Sequence, residues 1–547
     1  MRTRLLAALT SALSALAPAA SNADPRTLSA AEFLAEVASS GRVSGPAIVD
    51  DDIDLSSLSS ATVPAGKAIL FDRIHFRGRL SGTPTVRLRF QGGAICRIEA
   101  EGSTWPQAVE LQSVTIGTAR FREARLRSTW ICFECTVCRA NFEGARFADE
   151  ASFTGTHFGV SVGAELCADA GPRTCGAANF AETSFAALTR FDRAQFQTRA
   201  SIDGAEFRDS ARFPRITAPH GISAIGTRFR RDAEFRDCTL TDASFGPDSR
   251  ASDHTTVEAT EFGARADFRG CRFDGTTHFD AAVFTGDALF ARARFAGPKA
   301  SLLGVLAAKS IDFRAAILFD PIALALDATA ADAIQIDWDV AGSSILRALP
   351  ALPLDQWGPT LDALSRRLGE HGDARAALRV AYEAKRARRG HRCVEDSLVG
   401  CAAAEAEWWL WTWPTRNGSD LTWPLTALAV LWVATALAGL LRGRILAMPE
   451  EQPVAGTSYK CVKMAELPEG SSFPIGVSRV QRAIGFATRL VLKYGSPRLR
   501  MTAPETPAGL VLMNLALLFV WLLGWGMIAA MAAVIASSFP GLHAIVP

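Results

Sequence analysis

Tyrosine is almost missing from this chain: three residues against 32 phenylalanines in 547. A bias toward the ring without its hydroxyl points to a dry interior, because a buried hydroxyl needs a partner. Net charge is nearly absent too, at +2, so nothing global calls for nucleic acid as a partner. There is no H-E-x-x-H pair, no phosphate-cradling glycine loop and no G-x-S-x-G elbow, and the eight histidines are scattered. No catalytic constellation and no cofactor or metal site is expected, so no residue supports an enzyme and a non-enzymatic protein is the expectation. The length implies two or three domains.

What is present is a repeat. A large apolar residue recurs with a small one two positions earlier, as in Ala140-Asn141-Phe142, Ala145-Arg146-Phe147 and Ala178-Asn179-Phe180. A three-residue strand points its first and third side chains to one face. The small residue and the Phe therefore point inward, and the residue between them (Asn141, Arg146, Ser184, Arg190, Glu206) points outward. From Phe180 the centres alternate five and six residues apart, through Phe185, Phe191, Phe196, Ile202, Phe207 and Phe213, so four steps span 22 residues. Four strands would close one coil, with coils stacked as parallel strands roughly 4.8 Å apart. Extending the period predicts one ladder of Phe185, Phe207, Phe229, Ala251, Phe273 and Phe295. It also reads the Phe-poor stretches 214–226 and 246–256 as degraded coils, with no insertion at either.

This pattern, over about 120–315, resembles the pentapeptide-repeat family. The resemblance implies a mainly β fold, a right-handed quadrilateral parallel β-helix. The alternating sixth residue departs from the strict form and implies that two of the four corners are wider. Some family members mimic duplex DNA. That role is not carried over, because an exported domain would not meet DNA enzymes and the surface here mixes charge signs.

The remaining segments frame the repeat. Residues 1–23 read as a signal peptide, with Arg2 and Arg4 ahead of an apolar stretch and Ser21-Asn22-Ala23 at the cleavage site. Residues 24–45 hold a short amphipathic helix that would cap the open end of the stack, and 46–119 read as its irregular start, ahead of the regular coils at 120–319. Residues 159–177, broken by Gly159, Gly163, Gly171 and Pro172, read as a loop. In 320–420 the period becomes helical, giving a hairpin of Leu354 to Gly369 and Ala374 to Arg389, then a tryptophan cluster at 408–413 suited to a membrane interface. A comparable hairpin precedes the membrane helices of membrane-bound pentapeptide-repeat proteins.

Residues 421–441 and 510–535 are apolar runs long enough to span a bilayer. The loop between them, 442–507, holds ten Lys/Arg against five Asp/Glu, which orients it toward the cytoplasm. The β-helix then lies outside the cytoplasm of a bacterial inner membrane. There thiols can pair, and the candidates are Cys167 with Cys175 and Cys393 with Cys401, each pair eight residues apart. Cys461, in the cytoplasmic loop, is expected to stay reduced. Cys238 and Cys271 read as inward core filler. Cys132, Cys135 and Cys138 lack a fourth ligand for zinc, and with Ile131 and Val137 as repeat centres only Cys135 should point inward. Asp50 to Asp52 and Asp54 read as a solvated loop. The expected function is a scaffold or protein-interaction module with the lipid bilayer and another protein as partners. The alternative is a regulatory domain of a transport or channel-like component.

Overall fold

The computed structural model describes residues 25–58, 67–163, 166–167, 174–246, 259–395 and 422–442, with short pieces at 445–447, 484 and 499–501. The chain divides into two units, residues 1–363 and 364–547. The expected signal peptide (1–23) and the second apolar run (510–535) lie outside the described residues.

Residues 26–335 form a parallel β-solenoid. Each strand pairs with the one a coil later: Val109 with Trp130 and Trp130 with Ala151 in the early coils, then Thr189 with Ala211 and Ala211 with Ala233. The alternation within strands follows the sequence: Ala205 and Phe207 are fully buried while Glu206 between them reaches solvent. Four ladders run along the axis. Face 1 carries Phe180, face 2 Phe185, face 3 Phe191 and face 4 Phe196. The parallel-strand spacing forces rings on neighbouring rungs to stack. On face 3, Phe191, Phe213, Phe235, Phe268 and Phe290 have centroids 4.6–5.0 Å apart and planes within 11° of parallel. Rings on adjacent faces meet edge-on, as Phe213 meets Phe229 at 89°.

The two tighter corners need a left-handed residue. After face 1 it is Glu182, Gly204 or Gly226; after face 3 it is Arg193, Arg215, Asp237, Gly270 or Arg292, all with φ between 54° and 72°. The wider corners use their sixth residue instead.

The register departs from expectation at one place. Phe185, Phe207 and Phe229 share face 2 as predicted, and the coil around 214–226 keeps its rung, with Gln195, Thr217 and Thr239 in line. The next residue on face 2, however, is Phe262, followed by Phe284. Phe273 and Phe295 stand on face 4, above Leu240. The 246–256 stretch is therefore an insertion that adds half a coil. Half a coil preserves the five–six rhythm of the sequence while exchanging opposite faces. The 159–177 stretch is an excursion, as read: Phe142, Phe147, Phe153 and Phe158 stack directly on Phe180, Phe185, Phe191 and Phe196.

Both ends of the stack are covered. Helix α1 (Ala30–Ser40) starts in a capping box of Ser29 with Glu32 and ends at left-handed Gly41. Its buried face is Phe33 and Val37, and Phe33 lies against Phe71 and Phe76. Ahead of the helix, Leu28 belongs to a strand, Arg26–Leu28, paired with Ala47 to Val49. At the far end α2 (Ala328–Ala333) and α3 (Trp338–Ala348) follow, and α3 buries Trp338, Ala341 and Ile345 beside the strand Ala323–Leu326. Helices α4 (Leu354–Glu370) and α5 (Ala374–Glu395) form the hairpin, turning at Gly372 with φ 85°. Helix α6 covers Thr422–Arg442, with side chains described only from 426 to 437. Among the described residues no helix is long and apolar enough to cross a membrane.

Candidate functional site: two uncharged surface stretches and a disulfide-tied loop

The solenoid does not distribute its charge evenly. The outward rows of faces 2 and 3 run Arg125, Arg146, Ser184, Glu206, Arg228, Glu261 and Ser152, Arg190, Arg212, Glu234, Asp267. Opposite signs meet across the rungs. Glu206 accepts from Arg208 at 3.1 Å and from Arg230 at 3.2 Å, and Arg212 pairs with Glu234 at 3.3 Å. Asp267 is 1% exposed and sits between Arg236 (2.7 Å) and Arg269 (2.6 Å). Burial alone would raise its carboxyl pKa, but the hydrogen bonds from Arg269 and Arg236 outweigh that and hold it below the usual aspartate value.

Faces 4 and 1, adjacent around the coil, are different. Face 4 presents Thr115, Thr136, His157, Gln195, Thr217 and Thr239, an uncharged row that ends past the insertion, where Arg272 and Arg294 follow. Face 1 begins with Glu99 and Arg120 and from there presents Asn141, Asn179, Ser201, Ser223, Ser244, His278 and Ser301. Carboxylates at the edge of face 1 tie this row down. Asp203 accepts the Ser223 hydroxyl at 2.6 Å and the Ile225 N–H at 2.7 Å. One half-turn of insertion later Asp280 repeats the arrangement, accepting the Leu303 N–H at 2.9 Å, with His278 Nδ1 3.6 Å away. Ser301, His278 and Asp280 thus stand together, but Ser301 is wholly buried, so its hydroxyl cannot meet a substrate.

The excursion 159–177 leaves face 4 after Phe158 and returns on face 1 at Ala178, over the corner they share. It is tied back by Cys96–Cys167 and Cys138–Cys175, with Cα separations of 5.0 and 4.7 Å. Cys96 and Cys138 flank Gly117 in one column, each just past an inward residue of the rungs Ile95, Ile116 and Val137. A Cβ on Gly117 would lie 2.5 Å from the Cys96 carbonyl oxygen and 3.4 Å from a Leu166 methyl, so the loop lies directly on this glycine. Arg139, one residue past Cys138, donates two N–H groups to the Thr174 carbonyl at 2.7 and 3.2 Å.

These bonds correct the expected cysteine roles. Cys167 and Cys175 are both bonded, but to the solenoid and not to each other. The missed signal was the 21-residue spacing of Cys96, Gly117 and Cys138, the length of an early coil. Cys238 and Cys271 are not filler: they form a third bond, Cα atoms 4.4 Å apart on successive rungs of face 4. The half-coil insertion brings them together, which is why an unbroken 22-residue register kept them apart. Cys138 points outward as expected but is buried under the loop. Cys132 points inward, contrary to expectation, because it takes the place that Phe153 holds one rung later. Cys132 and Cys135 are buried thiols, and burial, together with Cys135 alongside, pushes the Cys132 thiol well above its ordinary pKa. Cys393 has no described side chain, and Cys401 and Cys461 lie outside the described residues.

The acidic run is not simply solvated. Asp51 accepts the Ala30 N–H at 2.7 Å, Asp52 the Arg79 N–H at 2.7 Å, and Asp54 caps a short turn through Ser56 at 2.9 Å. Among the described residues no group of three His, Cys, Asp or Glu side chains could hold a metal ion. The fold and surface define a parallel β-solenoid repeat protein with a disulfide-tied loop. Comparison with known protein families, curated proteins and solved structures finds no match.

Proposed function

We propose that this protein is a non-enzymatic, membrane-anchored scaffold of the pentapeptide-repeat type, with its right-handed four-sided solenoid displayed outside the cytoplasm. The observation that carries this is the set of three disulfides within the solenoid, since such bonds persist in oxidising compartments. The uncharged stretches of the two outward rows, Thr115 to Thr239 on face 4 and Asn141 to Ser244 on face 1, are the surface for a protein partner, because docking along those rows desolvates no full charge on them over several rungs. Anchoring is supported by the apolar run and by the exposure of Val430, Val433 and Leu437 along one stripe of α6, at 67%, 47% and 51%. Reporter fusions at Lys460 and after Pro547 test the arrangement: the first should report cytoplasm and the second the opposite side. A cytoplasmic C-terminus, or free Cys96 and Cys238 in protein isolated without reductant, would refute it. Ion flux through liposomes carrying the protein would favour a transport component instead.

A further inference from the structure

The two bonds that tie the loop down are not equivalent. Cys96 and Cys167 are 5% and 7% exposed, and Cys238 and Cys271 are 1% and 0% exposed. Cys138 is equally buried, but its partner Cys175 is only half-buried. Thiol–disulfide exchange requires a thiolate to reach a sulfur, so access ranks the bonds. Among the three bonds, Cys138–Cys175 has the least buried cysteine and therefore needs the smallest opening to admit a thiolate.

What that bond holds is equally specific. Thr174 to Ala177 lies against the corner between faces 4 and 1 through the Thr174 carbonyl on Arg139, the Thr198 hydroxyl on the Gly176 carbonyl at 3.0 Å, and the disulfide. Arg139 stands in a column with Arg79 and Arg97. Arg79 reaches Asp52 and Glu99, at 3.1 and 3.2 Å, and Arg97 reaches Glu99 at 3.7 Å. Arg139 spends its fork on a neutral carbonyl, a weaker acceptor than a carboxylate or phosphate.

We propose that Cys138–Cys175 is a redox latch over Arg139. A small dithiol opens it ahead of the other two bonds, passing two electrons and two protons to the pair of sulfurs and closing itself into a cyclic disulfide. The freed Thr174–Ala177 segment then releases the guanidinium to an external oxyanion, such as an acidic side chain of a partner. The order of opening stands on access alone. Only the partner's use of Arg139 rests on the scaffold reading.

The test is stepwise reduction of the full-length protein with dithiothreitol, followed by alkylation and peptide mass analysis. Cys138 and Cys175 should become labelled together while Cys96, Cys167, Cys238 and Cys271 stay protected and the far-ultraviolet circular dichroism is unchanged. Hydrogen exchange at 174–177 should rise at least tenfold in the same step, and the C138S/C175S variant should show that fast exchange without reductant. Opening of Cys96–Cys167 first, simultaneous opening of all three bonds with loss of dichroism, or exchange at 174–177 that ignores reduction would each overturn the latch.

Discussion

Phe235 and Arg190 stand on the same face of the solenoid and point opposite ways. Phe235 is fully buried between Phe213 and Phe268, at 4.6 and 5.0 Å. Arg190 lies outward beside Glu150 at 3.1 Å. Phe235→Ala should cost about 3–5 kcal/mol and Arg190→Ala about 0.5 kcal/mol or less, read as denaturant midpoints; equal costs would contradict the inward and outward assignment. Asp267 gives a prediction with a sign. Its folded pKa is depressed, so its contribution is present above the unfolded value of about 3.9 and is lost as pH falls through the folded value. Asp267→Asn should cost about 2 kcal/mol at neutral pH, and the difference from the parent should shrink toward zero as pH is lowered below 3.9. A difference that stays constant across that range would rule out the ion pairs as its source. Which residues point in was legible residue by residue, because strand alternation is local. That Asp267 is buried between two arginines was not, since Arg236 comes from the preceding coil.

From Arg146 to Phe295 each strand is two residues long, and none is stable alone; each is held by the rungs before and after it. This makes the connections between coils the tolerant positions. The insertion near 246–256 adds half a coil of chain, and loop length enters stability only logarithmically. Deleting eleven residues from 247 to 257 should leave the ladder from Phe229 to Phe262 intact and shift the thermal midpoint by no more than about 4 °C. Collapse of the circular dichroism on that deletion would mean the segment is part of the stack. The 159–177 excursion was legible from its glycines and proline. Its attachment was not, because Cys96 is 71 residues from Cys167, and only coil geometry makes them neighbours.

For the whole molecule, the open ends of the stack are the vulnerable places, since an uncovered rung presents unpaired N–H and C=O groups. Phe33 and Val37 hold α1 over the first rung. Replacing both by Ser should uncover it and produce concentration-dependent association by analytical ultracentrifugation, with the coils beyond it still folded. A variant that stays monomeric would show that the first rungs protect themselves. The cap was anticipated as an amphipathic helix, though it begins only after Leu28 has already joined a strand.

The sequence by itself determined the repeat unit: a small residue, an outward residue and a ring every five or six positions can bury its rings only by coiling, and each unit carries that instruction within a few residues. It could not determine which face a ring occupies after Phe245, because half a coil of extra chain leaves the local rhythm untouched while exchanging opposite sides. Tertiary structure decided that exchange. With it came the bond between Cys238 and Cys271 and the arginines that end the uncharged row of face 4, for a physical reason: rung adjacency is a contact between residues a coil apart, and nothing local records how much chain lies between them.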